Sequence, residues 1–263
     1  MKLQLNTNKI YPKKSLGQNF IQDNNFILKL SSLIKTDSLT NIIEVGPGKG
    51  ALTDELSKKK FKNLFLIEKD IQLSDILKDR FKSDKNIILI NDDALTCNYE
   101  EMNDGNNFLI VGNLPFNISS QLLINWITNY HWPPFYSKMI LMFQKEVAER
   151  ILASHNQKSY SRISVITQAR CRVRKLLSAP SNIFFPKPKV DGTVLELTPI
   201  TQNKNVNILN LQKILKSSFE HRRKKIKTSL KDYSYLLKKY KIDENLRAEN
   251  LSVDDYCKLA SAI

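Results

Sequence analysis

Four consecutive residues, Asn113-Leu114-Pro115-Phe116, bring together a carboxamide, backbone carbonyls stiffened by a proline, and an aromatic ring. Such a set suits a planar heterocycle that carries an exocyclic amine. The Asn113 amide oxygen and the Leu114 carbonyl would accept its two N–H bonds, and Phe116 would stack on its face. Adenine is one such ring. Asn and Pro also favour an ordinary strand-to-helix turn, so the four residues alone fit either reading. The apolar run Phe108 to Val111 before them predicts a buried parallel strand, and a helix opens near Ser119-Ser120. The four therefore stand at a strand's C-terminal end, where open α/β sheets place their ligands.

Three further groups stand at strand ends. Glu44-Val45-Gly46-Pro47-Gly48-Lys49-Gly50 has glycines at alternate positions, which let the backbone turn tightly beneath a ligand. Glu68, 22 positions beyond Gly46, ends the next strand, where a carboxylate would grip a ribose diol. Asp92-Asp93 follows the third; one of the pair suits a turn or cap, and Asp93 is the one expected to reach an adenine amine. Together these describe an adenosine cofactor lying across successive strand ends. The dinucleotide pattern G-x-G-x-x-G fails because the third glycine comes one place early, so S-adenosylmethionine suits better than a nicotinamide cofactor.

The elements needed to hold these groups are legible as period changes. Short apolar strands at 41–45, 63–67, 86–90, 108–111 and 138–143 alternate with helical stretches at 51–60 and 71–81 and after Ser119, which predicts a parallel sheet covered on both faces. Ahead of them lie a basic arm, Lys9 to Phe20, and a helix with Phe26, Ile27, Leu30, Leu33 and Ile34 on one face. Beyond Tyr160 come a helix at 162–169, a strand in which Arg170, Arg172 and Arg174 form one basic face, and Gly192 to Thr198, an antiparallel strand closing the sheet. After a polar linker, Thr201 to Asn207, only helical patterns remain. The fold class expected is α/β, a Rossmann-like, mostly parallel sheet over residues 1–200, with a small all-helical basic unit over 201–263.

Of 263 residues, 41 are Lys or Arg and 26 are Asp or Glu, a net charge of +15 that favours polyanionic partners, nucleic acid first. Residues 201–263 hold 14 Lys and Arg against 7 Asp and Glu, concentrated at Arg222, Arg223, Lys224, Lys225, Lys227 and Lys231. So dense a run suggests a surface that grips phosphates. The three cysteines and three histidines lack ligand spacing, and no metal is expected. No apolar run is long enough to span a bilayer, which excludes a membrane protein of the helical kind and predicts a cytoplasmic location. No long apolar surface segment demands a dimer, and a monomer is expected.

Leu16 to Ile21, Glu44 to Gly48, Leu66-Ile67-Glu68, Asp93-Ala94, Asn113 to Phe116 and Phe184 to Asp191 resemble, in order, the motifs of the ribosomal RNA adenine N6-dimethyltransferases. Phe219 to Ile226 and Arg247 to Val253, with Tyr256-Cys257, resemble the small-subunit branch, the KsgA family. The resemblance implies dimethylation of two adjacent adenosines in the hairpin loop near the 3′ end of 16S-type ribosomal RNA, with immature 30S subunits as partner. It carries cofactor contacts over to Asn19, Ile21, Gly46, Gly48, Glu68, Asp93 and Asn113. Catalytic positioning falls to Asn113, Leu114, Phe116 and Phe184, the last as an exposed second stacking face, and RNA contact to Arg222, Arg223, Lys224, Lys225 and Lys227. Phe116 stands where relatives often have Tyr, which leaves stacking intact. Two alternatives stay open: the sister branch that methylates 23S-type ribosomal RNA, and a non-catalytic ribosome-assembly factor.

Overall fold

Alternation of apolar strand runs with amphipathic stretches produces the following order in the computed structural model, which describes residues 11–99, 101–102, 108–200 and 206–263. The arm enters through β1 (Phe20–Ile21) and α1 (Asn24–Leu33). Then come β2 (Asn41–Val45), α2 (Ala51–Leu56), β3 (Asn63–Ile67), α3 (Ile71–Arg80), β4 (Ile87–Ile90), β5 (Phe108–Gly112), α4 (Ser119–Thr128), β6 (Tyr136–Gln144), α5 (Lys145–Leu152) and α6 (Arg162–Gln168). After them follow β7 (Cys171–Ala179), β8 (Phe184–Phe185) and β9 (Gly192–Pro199), and the helices α7 (Ile208–Glu220), α8 (Ile226–Ser229), α9 (Ser234–Lys239) and α10 (Val253–Ala260).

Seven strands form one sheet in the order β4-β3-β2-β5-β6-β9-β7. β2 to β6 pair in parallel, and every residue of β2 and β5 is buried, as strands covered on both faces must be. Alternate side chains feed two cores. Ile43, Val45, Ile110 and Leu141 pack toward α4 and its Trp126, while Ile42, Leu66, Val111 and Ile140 pack toward α1 and α2. The antiparallel strand expected at 192–198 is β9, but it lies between β6 and β7, so β7 takes the edge. On β7, Arg172 and Arg174 are exposed, as an alternating basic face requires. Arg170 does not join them: it is buried, donates to the Ile127 carbonyl and sits 4.7 Å over the Trp132 ring. The helix expected to run to Lys60 stops at Leu56, because Lys58, Lys59 and Lys60 offer nothing to bury.

A third core lies under the C-terminal helices. Ile208, Leu211, Ile214, Leu215, Tyr256 and Leu259 share it with Tyr160, Val165 and Ile166, so α6 belongs to both parts of the chain. Most of the polar linker, residues 201–205, and the division at 200/201 fall outside the described residues, as does Lys9 of the arm.

Candidate active site

Asn113 directly follows β5, one residue beyond the sheet, and its amide is held in one sense. Nδ2 donates to the Asn19 carbonyl at 2.9 Å, and Asn19 Nδ2 donates in turn to the Gly17 carbonyl at 3.1 Å. The Asn113 amide oxygen is then the atom left to accept from a ligand, because an amide offers oxygen on one side and NH2 on the other. Asn113, Leu114, Pro115 and Phe116 all line one cavity, together with Asn19 and Ile21 of the arm, Gly46, Gly48 and Lys49 of the glycine loop, Glu44 and Glu68. A second cavity adjoins it through Gly46 and Pro115 and is lined by Asp92, Asp93 and Lys69. The strand ends and the arm thus bring Asn19, Ile21, Gly46, Gly48, Glu68 and Asn113 to one cavity and Asp93 to the cavity beside it.

The glycine loop has positive φ at Gly46, Gly48 and Gly50, a backbone path that L side chains rarely follow. A Cβ on Gly48 would also lie 3.0 Å from the Phe20 ring, so the arm closes directly over the loop. Lys49 Nζ sits 5.1 Å from the centre of that ring. The arm is pinned at its far end as β1, antiparallel to β8, with Phe20 opposite Phe185 and Ile21 opposite Phe184.

That pairing reverses the exposure expected for Phe184. Successive residues of a strand face opposite sides, and the register turns Phe184 inward and Phe185 outward; they are 3% and 48% exposed. Phe184 packs edge-on against the half-buried Phe116, ring centroids 6.3 Å apart and planes at 69°.

Two carboxylates face the first cavity from within the fold. Glu68 accepts from the Gly48 N–H at 3.0 Å and the Asp70 N–H at 2.9 Å; burial raises its pKa, and these two bonds oppose the rise. Glu44 accepts from the Thr53 hydroxyl at 2.8 Å, and burial pushes its carboxyl up to about 8. The sequence marks Glu44 only by its place beside the glycine loop, two residues before Gly46. Because its folded pKa lies above the ordinary 4.5, the folded protein holds a proton the unfolded chain releases, and stability falls as pH rises from about 4.5 to 8. Glu44→Gln is expected to flatten that fall, read as melting temperature against pH; an unchanged slope would mean another group causes it. In the second cavity Asp93 accepts from Lys69 Nζ at 2.7 Å and from the Leu95 N–H, and the Lys69 contact keeps its pKa low. Asp92 accepts from the Asp93 N–H at 2.7 Å, a local turn.

This donor set fits S-adenosylmethionine. Glu68 presents a carboxylate where a ribose diol would lie, and the backbone at Gly46 and Gly48 leaves room for the ligand to approach closely. Among the described residues no three His, Cys, Asp or Glu side chains gather as a metal would require, and no helix is long and apolar enough to cross a membrane.

The expected RNA-contacting run lies at the turn between α7 and α8. Arg223, Lys224, Lys225 and Lys227 are exposed. Arg222 is partly committed within the fold, paired with Glu249 at 2.7 Å and bonded to the Lys158 carbonyl, and Lys225 donates to Asn245.

Known proteins resemble this chain over almost its whole length. The family described as ribosomal RNA adenine dimethylase matches residues 10–263. A protein of Pelagibacter ubique named ribosomal RNA small subunit methyltransferase A is 40% identical over 255 residues, covering 94% of this chain and 95% of the relative. One of the same name from Anaplasma phagocytophilum is 40% identical over 256 residues, covering 95% and 94%. Among solved structures, a dimethyladenosine transferase from Plasmodium falciparum superposes with a TM-score of 0.79 at 24% identity, covering 91% of this chain and 95% of that one. The 23S rRNA methyltransferase ErmE gives 0.69 at 20%, covering 91% and 97%. The two structures establish a shared methyltransferase fold. The family match and the 40% relatives go further: this chain belongs to the ribosomal RNA adenine dimethylase family.

Proposed function

We propose that the chain dimethylates N6 of two adjacent adenosines in the 3′-terminal hairpin loop of small-subunit ribosomal RNA with S-adenosylmethionine, acting in the cytoplasm on the immature 30S subunit. Family membership and relatives named as small-subunit methyltransferases support the reaction class and the subunit. The observation that carries the chemistry is the orientation of Asn113, whose Nδ2 is spent on the Asn19 carbonyl so that its oxygen accepts from the amine of the target base.

Gly46 and Gly48 through their backbone, Glu68, Asp93, and Asn19 and Ile21 of the arm would hold the cofactor. When bound, S-adenosylmethionine supplies an electrophilic methyl group. Asn113 and the Leu114 carbonyl take the two N–H bonds of the adenine amine, pull its nitrogen toward a tetrahedral shape and aim its lone pair. Orientation is what the protein contributes. An asparagine amide is not a base at neutral pH, and none of the roles needs one, because the methylated amine sheds its proton to solvent.

A target base leaves its stack at a cost of a few kcal/mol, lowest from a single-stranded loop. Phe116 offsets that by stacking, worth roughly 1–3 kcal/mol. A base held between two rings needs about 7 Å, two contacts of ~3.5 Å. The 6.3 Å, 69° pair is too close and too inclined for that, so Phe116 swings off Phe184 as the base enters.

Arg223, Lys224 and Lys227 grip the RNA backbone. Their reversal to Glu is expected to weaken RNA binding and to lower the slope of log affinity against log salt by about one per lost phosphate contact. An unchanged slope removes this turn from the interface. For the reaction itself, incubation with undermethylated ribosomal RNA and S-adenosylmethionine should yield N6,N6-dimethyladenosine on nucleoside analysis. Its absence from a protein that binds both partners would overturn the proposal and favour an assembly factor.

A further inference from the structure

Asp70 caps α3, accepting from the Gln72 N–H at 3.1 Å, and would ordinarily be read as nothing more. Its carboxylate is also where the arm is fastened. Oδ1 accepts from Lys13 Nζ at 2.7 Å and Oδ2 from Gln18 Nε2 at 2.9 Å, while the Lys13 N–H donates to Gln18 Oε1 at 2.8 Å and closes the ring of bonds. The Asp70 side chain is 1% exposed, and the arm's contacts lower its pKa against the effect of burial. On its other side the Asp70 N–H donates to Glu68, which also holds Gly48. One continuous path of hydrogen bonds thus runs from the arm through Asp70 and Glu68 to the glycine loop, around a cavity that Gln18, Asn19 and Phe20 cover.

We infer that Asp70 is a positioning residue, the latch that holds the arm closed over the cofactor cavity and keeps Glu68 in register with it. The inference rests on that cavity being the S-adenosylmethionine site. Pairing of β1 with β8 and the Asn113 bond to the Asn19 carbonyl hold the arm's end, and among the described residues the side chains of both Lys13 and Gln18 are fastened to this one carboxylate.

The bonding pattern supplies a variant that leaves the helix cap in place. In Asp70→Asn the remaining oxygen still accepts from Gln72, since Asn caps helices as well as Asp. The new NH2 then faces Gln18 Nε2, donor against donor, and Gln18 cannot turn its amide because its oxygen serves the Lys13 N–H. Adding Gln18→Glu exchanges donor and acceptor and returns the negative charge beside Lys13. The latch therefore predicts rescue, which simple loss of a cap does not.

The experiment measures S-adenosylmethionine affinity by calorimetry, trypsin cleavage after Lys13 in free protein, and a melting curve, for wild type, Asp70→Asn and Asp70→Asn with Gln18→Glu. Expected are a melting temperature within about 5 °C of wild type, affinity weakened about tenfold in the single variant, the scale of one charge-assisted hydrogen bond, faster cleavage, and recovery of both affinity and cleavage in the double variant. Unchanged cleavage or affinity in Asp70→Asn, or failure of the double variant to recover, overturns the latch. A wild type that does not bind S-adenosylmethionine while Asp70→Asn still loosens the arm would instead overturn the cofactor reading, and with it the part of the inference that concerns affinity.

Discussion

Asn113→Ala is expected to abolish methyl transfer while RNA affinity stays near that of the wild type. The substitution removes the acceptor that orients the target amine, and lost orientation alone is worth at least about 10²-fold. It also frees the Asn19 carbonyl, loosening the arm where it meets the strand end. Asn113→Asp is expected to be nearly as damaging. A carboxylate keeps an acceptor for the amine but has nothing to donate to Asn19, and the two oxygens repel. Single-turnover transfer with saturating RNA and S-adenosylmethionine, beside an RNA titration, reads both effects. Near-normal turnover in Asn113→Ala would sink the assignment.

Phe184→Ala is expected to lose stability as well as rate. A buried phenylalanine cut to alanine costs about 3–5 kcal/mol, which for a chain of this size lowers the melting temperature by roughly 6–20 °C. Phe184 meets that condition, with Ile183, Leu177 and Val194 in the same core cluster. Sequence alone predicted an exposed stacking ring whose removal would spare the fold, and the register of β1 on β8 revises that. Phe184→Leu separates the two roles: it keeps most of the packing and none of the aromatic face. A Leu variant that melts like wild type but methylates slowly supports stacking; equal rates would leave Phe184 a core residue only.

What could be read early was what is local. The change from a buried apolar run to Asn113-Leu114-Pro115-Phe116, the alternate glycines at 46, 48 and 50, and acids at successive strand ends are patterns within a few residues, and the sheet's parallel order gathers them at one edge. What escaped depends on partners distant in sequence. Whether Phe184 or Phe185 faces inward is set by pairing with residues more than 160 positions away, since a one-residue slip exchanges the faces. Asp70 looks like a helix cap until Lys13 and Gln18 arrive from the arm. Arg222 reads as one more cation of a basic run, yet Glu249 and the Lys158 carbonyl claim part of it. Likewise α6 packs on its sequence neighbour α5 and also joins the C-terminal helices, its buried Val165 and Ile166 sharing a core with Leu211 and Leu215.

One mapping experiment identifies both the subunit and the nucleotides acted on. The protein is incubated with methyl-labelled S-adenosylmethionine and undermethylated small subunits, with large subunits in a parallel reaction, and the label is located by nuclease mapping. Label on two adjacent adenosines of the 3′-terminal hairpin loop of small-subunit ribosomal RNA, absent with Asn113→Ala, is the result expected. Label in large-subunit RNA, or none in either, would contradict it.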